Sequence, residues 1–387
     1  MLVALQIGFV SDRVYPNYDG GYERSIYNIA VRLTKKYDVK IFTSIDCKKI
    51  EVKQVEYIQI ARNRSYINSK NIHNIKDAIL FDKDLIQNIN LFEGCDILFF
   101  NTIPYLGYGL IMKYLKNKYS ITIISIFHEA WYKYLATMTI INRKILHHEI
   151  ASIVAYSDKI IARSNTTLDS LIKNYFAKNT TVIPDGIDSQ FIDQVLPSDE
   201  NYDIIYVGRL SAIKHVEDIV STITLIVTSI PDIRVLIVGD GELRGNINAL
   251  IHYKHLEKNI LMTGFVSEDK KYELMKSSKI FVMPSEREGF CISALEAMYC
   301  GCVPIVARPV YDEVFGSSDF IKDGKTGLHF KLHDINDLSD KIKLLMKDKN
   351  LYQMLQKEAR ALSSQYTWNN ATSLYEDIIS NTILHSS

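Results

Sequence analysis

The chain lacks an excess of charge, a disulfide framework and an apolar run of membrane length. Its 387 residues hold 45 Lys and Arg against 45 Asp and Glu. That balance excludes nucleic-acid binding driven by overall charge. The five cysteines, Cys47, Cys95, Cys291, Cys300 and Cys302, are odd in number and unlike a disulfide scaffold. A reducing, cytoplasmic compartment is the simpler reading. Cys300-Gly301-Cys302 has no partner at zinc-site spacing, so no metal is assigned. Met1–Val10 is apolar but has no basic flank and runs into Ser11-Asp12, unlike a secretory signal. The longest uncharged stretch, Ile97–Met112, is interrupted by Asn101, Pro104, Gly107 and Gly109. It falls short of the roughly 18 apolar residues of a spanning helix. The first glycine loop is not GxGxxG, which argues against a nicotinamide cofactor.

What is present is an alternation of apolar strand-like runs with amphipathic helical runs. Leu2–Val10, Val39–Ser44, Ile97–Phe100 and Ile121–Phe127 read as strands, and Glu23–Lys36 as a helix. The idiom repeats as strand Asp203–Val207, helix Val216–Ser229, strand Val235–Val238, helix Leu243–Lys254, strand Ile260–Thr263, helix Lys270–Ser277 and strand Ile280–Met283. Near-continuous apolar strands suit parallel sheets buried on both faces. Two such series imply an α/β protein of two doubly wound domains. We expect residues 1–185 as the first domain, 186–365 as the second, and 366–387 as a closing helix. Ligands of such sheets lie at the carboxyl ends of the strands, so the expected site is the cleft between the domains.

Residues 284–305, PSEREGFCISALEAMYCGCVPI, carry the densest chemistry. The pattern puts Glu288 in a loop after a strand and Glu296 about two turns into a helix. The free amides and positive dipole end of that helix make an anion site. Carboxylates beside an anion site suit a ligand with hydroxyls and phosphates, such as a sugar nucleotide. Gly289, Phe290 and Cys291 are expected to present amides to it, with glycine permitting close approach. A depressed, redox-active Cys291 thiol and a small buried residue are alternative readings of that position. Arg209 and Lys214 flank the turn after Asp203–Val207. They read either as a solvated surface pair or as a fork and a point charge for two linked phosphates. Gly20 and Gly21 follow the first strand, either as a flexible tip or as a close approach of backbone to a ligand; Glu23 reads equally as a helix-start acid. Ser164 and Asn165 read as the start of a helix.

In order, these motifs resemble the retaining glycosyltransferases of family 4, with the GT-B architecture of two facing Rossmann-like domains and an interdomain cleft. The resemblance rests on Gly20-Gly21-x-Glu23, Ile183-Pro184-Asp185-Gly186-Ile187-Asp188, Gly208-Arg209-Leu210 with Lys214, and Val238-Gly239-Asp240-Gly241. It rests equally on Pro284-Ser285, Glu288-Gly289-Phe290, Glu296-Ala297, Asp323-Gly324-x-Thr326-Gly327 and Thr367-Trp368. It implies that Gly20, Gly21, Gly208, Gly239, Gly289, Phe290, Cys291 and Glu296 bind a nucleotide-sugar donor, with Glu296 at the ribose. Arg209 and Lys214 would then stabilise the leaving diphosphate in place of a metal, and Glu288 would take hydroxyls of the transferred sugar. His128, at the end of a strand, resembles the family's N-domain histidine, which contacts that sugar; a hydrogen-bonded structural histidine is the other reading. The chain departs from the family at Asp185, where asparagine is usual, and at Cys291, where glycine is more usual. We read Asp185 as structural.

The resemblance implies front-face transfer with retention, no cofactor, and a glycan, lipid-linked or small-molecule acceptor held by the first domain. The segment Trp131, Tyr132, Tyr134, Leu135, Met138, Ile140 and Ile141, interleaved with Lys133, Arg143 and Lys144, suits either a membrane surface or its own domain core. A sugar-nucleotide epimerase and a non-catalytic sugar-nucleotide-binding subunit share the fold and stand as the alternatives.

Overall fold

The computed structural model describes residues 5–15, 20–44, 55–61, 75–102, 107–129, 139–308 and 315–384. Cys47 and the aromatic stretch 131–138 lie outside them. The chain divides into two compact units, residues 1–186 with 368–387, and residues 187–367.

The first unit is built on a parallel sheet. Its described strands are β1 (Gln6–Val10), β2 (Asp38–Thr43), β3 (Glu56–Gln59), β4 (Ile97–Thr102), β5 (Thr122–Phe127), β6 (Lys159–Ala162) and β7 (Thr180–Val182). They lie in the order β3-β2-β1-β4-β5-β6-β7. In β5, TIISIF, every residue after the first is buried, as expected of a strand covered on both faces. Its Ser125 meets Ser157 Oγ at 2.6 Å, so the hydroxyl is not stranded in the core. The first helix, Gly21–Leu33, buries Ile26, Ile29, Ala30 and Leu33 along one face. The last helix, Trp368–Leu384, belongs to this unit. Asn369 Oδ1 accepts from Arg32 Nε at 3.2 Å, Lys36 Nζ lies 2.5 Å from Glu376 Oε2, and the Tyr375 ring sits 5.2 Å from Phe99.

Asp185 acquires a physical explanation in this unit. Arg163 has no solvent exposure, and its Nε lies 3.3 Å from Asp185 Oδ1. The guanidinium also donates to Ile183 O at 3.1 Å and to Ser25 Oγ at 2.7 Å, while Ser25 donates to Asp185 at 2.6 Å. A buried cation needs a compensating anion. An asparagine at 185 would keep a turn but leave Arg163 unpaired.

The second unit repeats the plan with β8 (Tyr202–Val207), β9 (Val235–Val238), β10 (Ile260–Gly264), β11 (Ser278–Met283), β12 (Val303–Arg308) and β13 (Leu328–Lys331). Their order is β10-β9-β8-β11-β12-β13, again with every pairing parallel. Helix Ile292–Cys300 follows β11, and helix Glu268–Lys276 precedes it. In both sheets the winding reverses beside the first strand, at β1/β4 and at β8/β11. Crevices outside the carboxyl ends of such strand pairs are where doubly wound sheets bind ligands. Among the described residues no helix is long and apolar enough to cross a membrane.

Candidate active site

In the second unit the predicted residues gather at the β8/β11 reversal. The loop after β8 is fixed from below: Gly208 N donates to Val238 O, Leu210 N to Asp240 O, and Tyr206 Oη to Arg209 O at 2.8 Å. Gly239 makes this approach possible. It sits at φ 134°, and a Cβ there would lie 1.9 Å from Gly208 O. Gly239 therefore supports the loop by backbone packing, while Arg209 is exposed beyond it.

A short 3-10 turn, Ala212–Lys214, then carries Lys214 toward β11. Lys214 Nζ lies 2.5 Å from Glu288 Oε1. Ser285 Oγ donates to the same oxygen at 2.6 Å. Such charge-assisted bonds are short and hold both side chains in register. Both partners crowd Oε1, and no described residue donates to Oε2. Glu288 thus presents one open carboxylate oxygen beside a lysine, rather than capping the following helix.

That helix begins at Ile292, so Glu296 stands just over one turn into it rather than two. The amides of Gly289 to Ser293 find no acceptor among the described residues, and they lie where the helix dipole favours an anion. Cys291 forms the N-cap at φ 70°, in the left-handed region that glycine adopts freely. Glycine, the residue expected there from the resemblance, would hold this backbone at less cost. The thiol is buried, and burial, then the nearby Glu288, pushes its pKa well up. The depressed thiol considered from the sequence is overturned, because loss of solvation outweighs the helix end.

Glu296 is buried. Lys271 Nζ reaches its two oxygens at 2.8 and 2.9 Å, and Tyr272 Oη donates to Oε1 at 2.8 Å. Neither Lys271 nor Tyr272 was singled out by sequence reasoning. In Glu268-Asp269-Lys270-Lys271 the lysine reads as one of a solvated charge run, and only the fold turns it inward.

In the first unit His128 follows β5 and meets the end of β4. Its Nε2 is hydrogen-bonded to Asn101 Oδ1, and Asn101 Nδ2 donates to Ser11 Oγ, just past β1, at 3.0 Å. That orientation of the amide assigns the ring proton to Nε2 and leaves Nδ1 as an acceptor. Nδ1 is buried without a hydrogen-bond partner. Burial, then the positive Arg163, holds the imidazole pKa well below its ordinary value, so the ring is neutral. The Tyr22 ring lies 4.4 Å from it, and Tyr22 Oη donates to Glu129. Gly20 caps the first helix in extended conformation; a Cβ there would sit 2.3 Å from Glu23 Oε2. Glu23 therefore folds back over its own helix start, and Gly21 is the first helical residue. No group of three or more His, Cys, Asp or Glu is placed to hold a metal among the described residues.

Two doubly wound parallel sheets in one chain, the last helix returning to the first unit, make this a GT-B protein. Residues 19–191 match the family described as Glycosyltransferase Family 4, and residues 188–362 match Glycosyl transferases group 1. The chain belongs to the group 1, family 4 glycosyltransferases. It is 31% identical over 176 residues to N-acetyl-alpha-D-glucosaminyl L-malate synthase of Bacillus anthracis, 45% of this chain and 44% of that one. It therefore spans less than half the length of that relative. It is 26% identical over 356 residues to an uncharacterised glycosyltransferase of Methanocaldococcus jannaschii, 92% of this chain and 93% of that one. Its fold is similar to that of Anabaena HepE, solved with UDP and with UDP-glucose, with TM-scores of 0.76 and 0.74. There the identities are 16% and 17%, and each match covers 97% of this chain and 100% of that one.

Proposed function

We propose that this chain moves a sugar from a nucleoside-diphosphate donor to an acceptor hydroxyl, with retention and without a metal ion or cofactor. The observation that carries this reading is the convergence of Lys214 and Glu288, 2.5 Å apart, beside the unengaged amides of Gly289 to Ser293. A cation and free amides suit a diphosphate; an open carboxylate oxygen beside them suits a sugar hydroxyl. The UDP-glucose bound by HepE supports a donor of this class.

In this reading Arg209 and Lys214 neutralise the diphosphate as the bond from its oxygen to the anomeric carbon breaks. The acceptor oxygen bonds to that carbon on the same face, and its proton passes to the departing phosphate. Glu288 Oε2 holds a hydroxyl of the transferred sugar. Glu296 holds the ribose. The first unit takes the acceptor, which is a glycan, a lipid-linked glycan or a small molecule.

Incubation with labelled sugar nucleotides, with and without an acceptor extract, tests the proposal. Nucleoside diphosphate should be released in an acceptor-dependent way, and the product anomer should match the donor. An epimerised donor formed without acceptor, or binding with no turnover, would sink it.

A further inference from the structure

The carboxylate of Glu296 is already largely engaged, which bears on how it could recognise a ribose. Lys271 has three ammonium protons and three acceptors within reach: Glu296 Oε1 at 2.8 Å, Glu296 Oε2 at 2.9 Å and Glu268 Oε1 at 2.8 Å. Its ammonium also lies 4.3 Å from the Tyr272 ring centroid. Tyr272, itself buried, gives its hydroxyl to Glu296 Oε1 at 2.8 Å. A carboxylate offers about four lone-pair directions. Two on Oε1 and one on Oε2 are taken, leaving a single direction on Oε2.

We propose that Lys271 and Tyr272 are positioning residues that restrict Glu296 to one ribose hydroxyl, so the donor is recognised asymmetrically at its diol. The inference rests on the donor-site reading above and adds a specificity device that the paired-glutamate motif does not contain. Lys271 is poorly exposed and its protons are all used, so a bound ribose would have to break a charge-assisted bond to gain a second contact with Glu296. A vicinal diol can donate one hydroxyl to Oε2 without any such loss. The second hydroxyl then faces solvent or another group.

The test is a binding comparison by titration calorimetry with UDP, GDP and ADP, followed by the 2′-deoxy and 3′-deoxy forms of the tightest binder. One deoxy analogue should bind roughly ten- to a hundredfold more weakly than the parent, and the other within about threefold. Equal weakening of both analogues in the unmodified protein overturns the proposal while leaving the donor site standing. Failure of all three diphosphates to bind overturns the donor-site reading, and the proposal with it. Tyr272→Phe frees a direction on Oε1 and Lys271→Met frees two; either should bring the two analogues toward equal weakening. Lys271→Arg, which keeps a cation on both oxygens, should retain the asymmetry. Unchanged asymmetry in Tyr272→Phe and in folded Lys271→Met removes these residues from the role.

Discussion

Lys214 and Glu288 are joined at 2.5 Å across the reversal point of the second sheet, although 74 residues separate them in sequence. The pair links the turn after β8 to the loop after β11, the two segments that carry most of the candidate donor site. Its lysine would serve a phosphate and its glutamate a sugar hydroxyl, so each holds the other in place before a ligand arrives.

Removing a charged group from the candidate donor site should be costly to turnover. Lys214→Ala and Glu296→Gln should each lower kcat by roughly a hundredfold or more, by analogy with the loss of one oxyanion-stabilising donor. Steady-state assays with a saturating donor check this. If Lys214→Ala also releases Glu288, the double variant Lys214→Ala/Glu288→Gln should cost less than the sum of the two singles.

The Arg163–Asp185 pair makes a stability prediction in the first unit. Asp185→Asn leaves a fully buried guanidinium without its anion and should cost about 3–5 kcal/mol. Adding Arg163→Met should recover a large part of that loss, because the uncompensated charge is gone. Urea denaturation of the two variants decides it, and equal losses in both would contradict the pairing.

Cys291 tests the local backbone. Glycine at 291 would relieve a left-handed φ that costs other residues about 1–2 kcal/mol, offset by lost side-chain burial. Cys291→Gly should therefore change stability by less than about 1.5 kcal/mol, whereas Cys291→Val should cost more than that. Iodoacetamide at pH 7.5 should leave Cys291 unmodified in the folded chain, because the thiol is buried with a raised pKa. Rapid labelling there would contradict the burial.

Asp82 predicts a pH dependence of stability. Burial, then the nearby Glu149, raises its pKa from 3.8 to about 8. The unfolded chain releases this proton near pH 4, but the folded chain holds it until about pH 8. Stability should therefore fall as pH rises through that window, by at most about 1.4 kcal/mol per unit. Asp82→Asn should flatten the fall between pH 5 and pH 8. A wild-type slope retained in the variant would show that Asp82 is not its source.

Much of this was legible in the sequence wherever local pattern and global fold agree. The apolar runs at Val235–Val238 and Ile280–Met283 appear as strands, and Val216 begins a helix, as their spacing implies. The Ser164 N-cap is seen directly, its hydroxyl accepting from Thr167 N at 3.1 Å. What was not legible depends on side chains meeting from distant segments. β12 contains Pro304 and β13 is four residues long, so neither stands out as a strand. Nothing near Asp185 announces Arg163, and nothing near Glu296 announces Lys271. Glu288 was legible as a candidate for sugar hydroxyls, but its pairing with Lys214, brought to it by the turn after β8, was not.

The central claim is that the β8/β11 reversal binds a nucleoside-diphosphate sugar and activates its transfer. Its most direct test is acceptor-dependent release of nucleoside diphosphate by the wild-type chain, Lys214→Ala and Glu296→Gln, each confirmed folded. The account predicts release by the wild type and rates at least about a hundredfold lower in both variants. Near-normal release in both variants would contradict it.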